Sequence, residues 1–120
     1  MSFLNKGFAT IRLSSVHVAK SKDWYKELFG VDPVEDTENF VSFKIGAIKF
    51  ELCQADSKSP VSTGGSIGYW YVDNLDEVIR RSTELGGVVY RGPLKVDEIG
   101  RTIVQIKDPF GGVVGFEADF

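Results

Sequence analysis

The side chains that could carry out chemistry are few, and their scarcity excludes several classes of site. The chain of 120 residues has one histidine, His17, and one cysteine, Cys53. An intramolecular disulfide, a Cys-x-x-Cys redox pair, a cysteine-based zinc site and a two-histidine iron site are therefore excluded within one chain. Cys53 has no histidine near it in sequence to activate it, so we expect a plain, partly buried thiol.

One carboxylate and one guanidinium fall in apolar strands, where a charged side chain needs a partner. Glu51 lies in the apolar run 47–53, and an unpaired carboxylate there would be costly. We expect Glu51 to contact a partner such as Arg12 or a tyrosine hydroxyl; the alternative is a strand-end glutamate in solvent. Arg12 lies two residues after Thr10 and so on the same strand face. It could bind an acidic ligand group or simply neutralise Glu51, and both roles stay open.

Two tyrosines form a second set of candidate ligand contacts. Tyr69 and Tyr71 share one strand face with Ile67, while Trp70 points the other way, toward the core. Tyrosines in a cavity provide flat apolar walls and a hydroxyl that orients a ligand, which suits a planar compound. The alternative is ordinary packing at a dimer interface.

These side chains are positioned by a pattern of strand, helix and three strands that occurs twice. The first copy is predicted as a strand at 8–15, a helix from Val18 to Gly30, and strands at 31–34, 40–45 and 47–53. The second is predicted as a strand at 67–72, a helix capped by Asn74 with Glu77 completing a capping box, and strands at 88–90, 102–106 and 113–116. Phe50-Glu51 in the first copy also matches Phe116-Glu117 in the second.

Composition limits the partners of the protein. Hydrophobic residues make up 42% of the chain, which fits one compact domain with one core. The net charge of −3 lacks the basic excess that nucleic acid binding needs. Apolar runs are too short to span a bilayer, and residues 1–10 lack the pattern of a targeting signal. We therefore expect no nucleic acid partner, no membrane partner and a cytoplasmic location.

Together with this repeat, four short motifs resemble those of the vicinal oxygen chelate superfamily, which contains glyoxalase I, bleomycin-resistance proteins and extradiol dioxygenases. They are residues 24–30 (WYKELFG), 72–76 (VDNLD), 85–87 (LGG) and 108–112 (DPFGG). The resemblance implies an α+β fold in which two βαβββ modules form a cupped eight-stranded mixed sheet with the helices outside. It implies one domain over 1–120, with modules at about 8–54 and 66–118 and a linker at about 55–65, and a homodimer.

His17 stands where relatives often carry a helix-capping aspartate, and we assign Asp108 and Gly111 to turn formation.

The resemblance also implies where a metal would bind. Metal-binding relatives take four ligands from the strands of the two modules, at positions that here fall on Thr10, Glu51, Ile67 and Gly115. Only Glu51 suits a hard cation, and Glu117 would be a weak substitute for Gly115. We therefore expect no cofactor, the alternative being a divalent metal, and the replaced ligands argue against metal-dependent lyase or dioxygenase activity.

Two functions from different classes remain. The first is a metal-free binding protein, similar to bleomycin-resistance proteins, that holds a small, planar organic ligand with Arg12, Glu51, Tyr69 and Tyr71. The alternative is a glyoxalase-like lyase or isomerase acting on a small carbonyl compound. In that enzyme Glu51 would be the catalytic base or a metal ligand, and Arg12 or Tyr69 would stabilise the enolate.

Overall fold

The computed structural model describes residues 7–120. We expect no targeting signal in the segment 1–10, and most of that segment lies outside the described residues. The elements of the structure follow the predicted order of strand, helix and three strands, twice. They are β1 (Thr10–Ser15), α1 (Val18–Phe29), β2 (Glu35–Asp36), β3 (Phe40–Ile45), β4 (Ile48–Gln54), β5 (Tyr69–Tyr71), α2 (Leu75–Glu84), β6 (Val88–Val96), β7 (Arg101–Lys107) and β8 (Val113–Asp119).

The strands form two mixed sheets of the same topology. Hydrogen bonds join them in the orders β1-β4-β3-β2 and β5-β8-β7-β6, so each repeat builds one four-stranded sheet. The first strand of each repeat pairs in parallel with the last, and the other pairs are antiparallel. The predicted α+β fold with two βαβββ modules is confirmed, and the eight strands are hydrogen-bonded as two groups of four.

Both helices begin at the predicted cap residues. The Nδ1 atom of His17 accepts the backbone N–H of Lys20 at 3.3 Å, and Asn74 Oδ1 accepts that of Glu77 at 3.0 Å. The predicted capping box is only half formed, because the Glu77 carboxylate pairs with Arg80 one turn further along α2 instead of returning to the cap. Within residues 7–120, neither helix has the length and apolar character needed to cross a membrane.

Within residues 7–120, only the strand predicted at 40–45 has the same bounds in the structure. The strand predicted at 31–34 is wrong: Pro33 has no N–H to donate to a sheet, and only Glu35–Asp36 pairs with β3. The strand predicted at 67–72 is shortened to Tyr69–Tyr71, so Ile67 precedes it. β6 continues to Val96, beyond the predicted end at 90, because shifts of register on both sides of Arg91 accommodate Gly92 and Pro93.

An aromatic cluster joins the two modules on the helix side of the sheets. The Phe29 ring lies 5.6 Å from Phe50, 5.7 Å from Trp70 and 6.5 Å from Phe116 between centroids, all near edge-to-face. Trp70 therefore points into the core, as predicted. One side chain of α1 thus packs against strands of both sheets and fixes their mutual position.

A buried hydrogen bond also ties α1 to the second module. The Tyr25 hydroxyl, fully buried, donates to Asp108 Oδ2 at 2.5 Å, and Oδ1 accepts the backbone N–H groups of Phe110 at 2.8 Å and Gly112 at 3.0 Å. Asp108 is therefore a turn former, as predicted, and in addition an anchor for α1. Its carboxylate is satisfied on both oxygens although it is almost inaccessible to water.

Removing the Tyr25 hydroxyl should destabilise the fold. We expect Tyr25→Phe to lower the free energy of unfolding by about 1–3 kcal/mol, because the buried Asp108 loses a donor. Tyr90→Phe, at a half-exposed position on β6, is the matched control and should change it by less than about 0.5 kcal/mol. Urea unfolding followed by circular dichroism measures both, and equal stability of the two variants would contradict the role of this bond.

The same variant gives a second readout at alkaline pH. Burial, reinforced by the charge of Asp108, raises the pKa of Tyr25 well above its ordinary value. The folded state thus keeps a proton that the unfolded chain loses above about pH 10, so stability falls as pH rises past that value. Tyr25→Phe should show a shallower decline of unfolding free energy over this range than the wild type.

Candidate functional site

The predicted site residues lie on the face of the sheets turned away from the helices, which we call the open face. Arg12 stands opposite Glu51 in the parallel pair β1 and β4, and Tyr71 stands opposite Glu117 in the equivalent pair β5 and β8. Because side chains alternate along a strand and Trp70 is in the core, Tyr69 and Tyr71 are on the open face. The register pairs Tyr69 with Gly115 and Tyr71 with Glu117, so both positions considered for the fourth ligand lie on the open face.

Arg12 and Glu51 form the ion pair that the sequence predicts. Arg12 donates from Nε at 3.0 Å and from Nη2 at 2.8 Å to Oε1 of Glu51. The carboxylate is buried, with 8% of its side chain exposed, whereas 61% of the Arg12 side chain is exposed. The hydrogen bond to Glu51 raises the pKa of Arg12. A buried carboxylate thus holds a permanently charged guanidinium at the surface of the open face.

Tyr69 fills the space beside Gly115. Its hydroxyl accepts a hydrogen bond from Gln105 Nε2 at 2.8 Å, which fixes the ring across β8. A Cβ atom at position 115 would lie only 2.5 Å from the ring and 2.8 Å from the carbonyl oxygen of Gly68. Glycine is therefore required at 115, and no side chain there could reach a metal ion.

Tyr71 belongs to a cluster that the sequence analysis missed. The Arg101 guanidinium lies 3.9 Å from the centre of the Tyr71 ring. It donates to Glu117 at 2.9 Å and forms an ion pair with Asp119, also at 2.9 Å. The Tyr71 hydroxyl donates to Asp119 at 2.6 Å, and this bond raises the pKa of Tyr71. Alternation of side chains along β7 could have indicated the face on which Arg101 lies. That Arg101 stands opposite Asp119 follows only from the register of β7 against β8, which the sequence does not give.

The donors on the open face do not fit a metal. Glu51 is paired with Arg12 and Glu117 with Arg101, so each carboxylate already has a cationic partner. Ile67 has no donor atom in its side chain. Among residues 7–120, no three His, Cys, Asp or Glu side chains come together in a group that could hold a metal ion. With both carboxylates paired to arginines and the Tyr69 ring beside Gly115, the described residues offer no tight cation site.

The four predicted ligand contacts do not share one cavity. Arg12 lines a cavity of 70 Å³ with Gly68 and Trp70, which we call the seam cavity because it lies where β1 meets β5. Tyr71 lines a different cavity of 220 Å³. Cys53, on the face of Glu51, has a pKa raised by burial, so its thiol is not activated.

The family model of the Glyoxalase/Bleomycin resistance protein/Dioxygenase superfamily matches residues 7–116. The chain belongs to this superfamily. No curated protein matches it.

Solved structures share the superfamily fold. An Agrobacterium tumefaciens protein studied by NMR is 24% identical, with a TM-score of 0.78 over 92% of this chain and 95% of that one. A lactoylglutathione lyase from Agrobacterium tumefaciens is 22% identical, with a TM-score of 0.73 over 93% and 92%. A family enzyme from Burkholderia phytofirmans is 13% identical, with a TM-score of 0.79 over 93% and 98%. At these sequence identities, the structural similarity establishes only the fold of this chain.

A methyl group at position 115 should disrupt the packing of Tyr69. We expect Gly115→Ala to lower the free energy of unfolding by about 1–3 kcal/mol through this overpacking. Gly64→Ala is the matched control, because a Cβ there would have only Ser62 Oγ near it, at an ordinary 3.8 Å. Thermal unfolding of both variants measures the difference. An unchanged midpoint for Gly115→Ala would mean that the ring does not occupy this space.

Proposed function

We propose that the protein binds a small, planar organic acid on its open face without a catalytic metal. The observation that carries the proposal is the Arg12–Glu51 pair, in which a buried carboxylate orients an exposed guanidinium. Such a guanidinium has its charge and direction set in advance, so a ligand carboxylate could pair with it at a small entropic cost. The bond to Glu51 uses Nε and Nη2 and leaves Nη1 for a ligand.

The tyrosines support the planar character of the ligand. Tyr69 is held by Gln105, and Tyr71 is held by Asp119 and stacked on Arg101, yet 60% of Tyr71 remains exposed. Rings fixed in this way provide apolar surface against which another ring can pack. The seam cavity of 70 Å³ is far smaller than the roughly 300–1,000 Å³ of typical ligand pockets. The ligand would therefore lie mostly on the open face.

A second copy of the chain would close this site, and we propose a homodimer. β1 and β5 are both edge strands of their sheets, and each carries a candidate ligand contact, Arg12 or Tyr71. At the outer edges of the two sheets, β2 and β6 each pair with one strand only, and such edges favour association. Light scattering should give about twice the mass of one chain at tens of micromolar protein, whereas a monomer at all concentrations tested would contradict the dimer.

Removal of metal ions should leave the protein unchanged. A bound metal would add its binding free energy to stability, so chelation would lower the melting temperature. We expect EDTA to shift it by less than about one degree and elemental analysis to find no stoichiometric metal, because the candidate carboxylates are already paired with arginines. A metal present at one per chain would overturn this proposal and favour the lyase or isomerase alternative.

Ligand binding should depend on the charge of Arg12. We expect Arg12→Ala to weaken binding of an aromatic acid such as para-fluorobenzoate about tenfold or more, because a charge-assisted hydrogen bond is lost. Binding of the neutral para-fluorobenzamide should change much less. Arg80→Ala is the matched control, since Arg80 also pairs with carboxylates but lies exposed on α2.

Fluorine NMR titration measures these affinities. Equal weakening for acid and amide, or equal effects of the two arginine variants, would show that Arg12 does not recognise the acidic group. The enzyme alternative predicts a different result. The protein would bind no aromatic acid and would turn over a small carbonyl compound, and Glu51→Gln would abolish that turnover. This result would show that the chain is an enzyme and would contradict the binding proposal.

A further inference from the structure

We propose a second binding site, for a compact neutral aromatic molecule, in a cavity between the helices and the sheets that Arg12 does not line. A cavity of 220 Å³, which we call the helix-side cavity, lies between the end of α1, α2, β3, β5 and β8. An engineered apolar cavity of about 150 Å³ is enough to bind benzene. The helix-side cavity thus has room for one ring and its substituent.

The helix-side cavity is lined by residues of both modules. Phe29, Trp70 and Phe116 form one wall by edge-to-face contacts, and Ile45 and Val78 close it from β3 and α2. The backbone carbonyl of Glu27 accepts a hydrogen bond from Arg81, which links α1 directly to α2. Rings that already pack edge-to-face leave faces and edges to which a further ring can pack in the same way.

The lining selects for a neutral ligand. Within residues 7–120, no charged side chain lines the helix-side cavity. Among the same described residues, the one side-chain hydroxyl in the lining, that of Tyr71, already donates to Asp119. Burying a carboxylate or an ammonium group in such a site would be costly, whereas an apolar ring gains from leaving water. This selectivity is opposite to that of Arg12 on the open face, so the charge of the ligand distinguishes the two sites although Tyr71 belongs to both.

Two tryptophans allow the site to be observed directly. Trp70 lines the helix-side cavity, whereas Trp24 is buried elsewhere, with its indole N–H donated to the carbonyl oxygen of Leu85 at 2.7 Å. In nitrogen–proton correlation spectra, with the two indole signals assigned by Trp70→Phe, fluorobenzene should shift the Trp70 signal saturably. It should leave the Trp24 signal in place.

Variants then locate the binding. Val78→Phe fills the cavity and should abolish the shift, and Val31→Phe at its rim is a second variant in case the first does not fold. Val88→Phe, at an exposed position on β6, is the matched control and should retain it. Arg12→Ala should also retain it, although the same change weakens binding of para-fluorobenzoate if the proposed function is right.

Two outcomes would overturn the proposal. The first is the absence of a saturable shift of the Trp70 signal in the wild type. The second is a shift that persists in well-folded Val78→Phe or Val31→Phe protein. If the first outcome came together with an altered mass of Val78→Phe in solution, the cavity would be assigned to contact between copies of the chain. Neither outcome tests the binding of an acidic ligand by Arg12.

Discussion

The buried hydrogen bond between Tyr25 and Asp108 determines how the two repeats of this fold meet. Asp108 also accepts two backbone N–H groups of the turn before β8, so one carboxylate fixes both the start of that strand and its position against α1. β8 in turn pairs with β5, which carries Tyr69 and Tyr71. The geometry of the open face therefore depends on a contact made on the other side of the sheet, in the core.

On the open face, arginines stand beside the carboxylates that a metal would need. Glu51 holds Arg12 and Glu117 holds Arg101, and the Tyr69 ring takes the space beside Gly115. A guanidinium provides a permanent positive charge, as a metal ion does, and also directed hydrogen-bond donors. Unlike a metal ion, it cannot act as a strong Lewis acid. This arrangement supports recognition of an acidic ligand more than activation of a carbonyl group.

The sequence predicted features that depend on local periodicity, and missed those that depend on tertiary register. Strand alternation placed Arg12 on the face of Thr10, and the capping pattern of Asn74 placed the start of α2, because both follow from neighbouring residues. The bond from Tyr25 to Asp108 spans the two modules, and the Arg101 cluster requires the register of β7 against β8. No local pattern encodes either contact.

The most direct test of metal-free recognition by Arg12 is a crystal structure with para-iodobenzoate. Anomalous scattering from iodine locates the ligand, and scans at the absorption edges of transition metals detect a bound ion. We predict that the ligand carboxylate lies within hydrogen-bonding distance of the Arg12 guanidinium and that its ring lies on the open face, with Glu51 still bound to Arg12. A ligand whose carboxylate lies away from Arg12, or a metal ion coordinated by Glu51, would contradict the account.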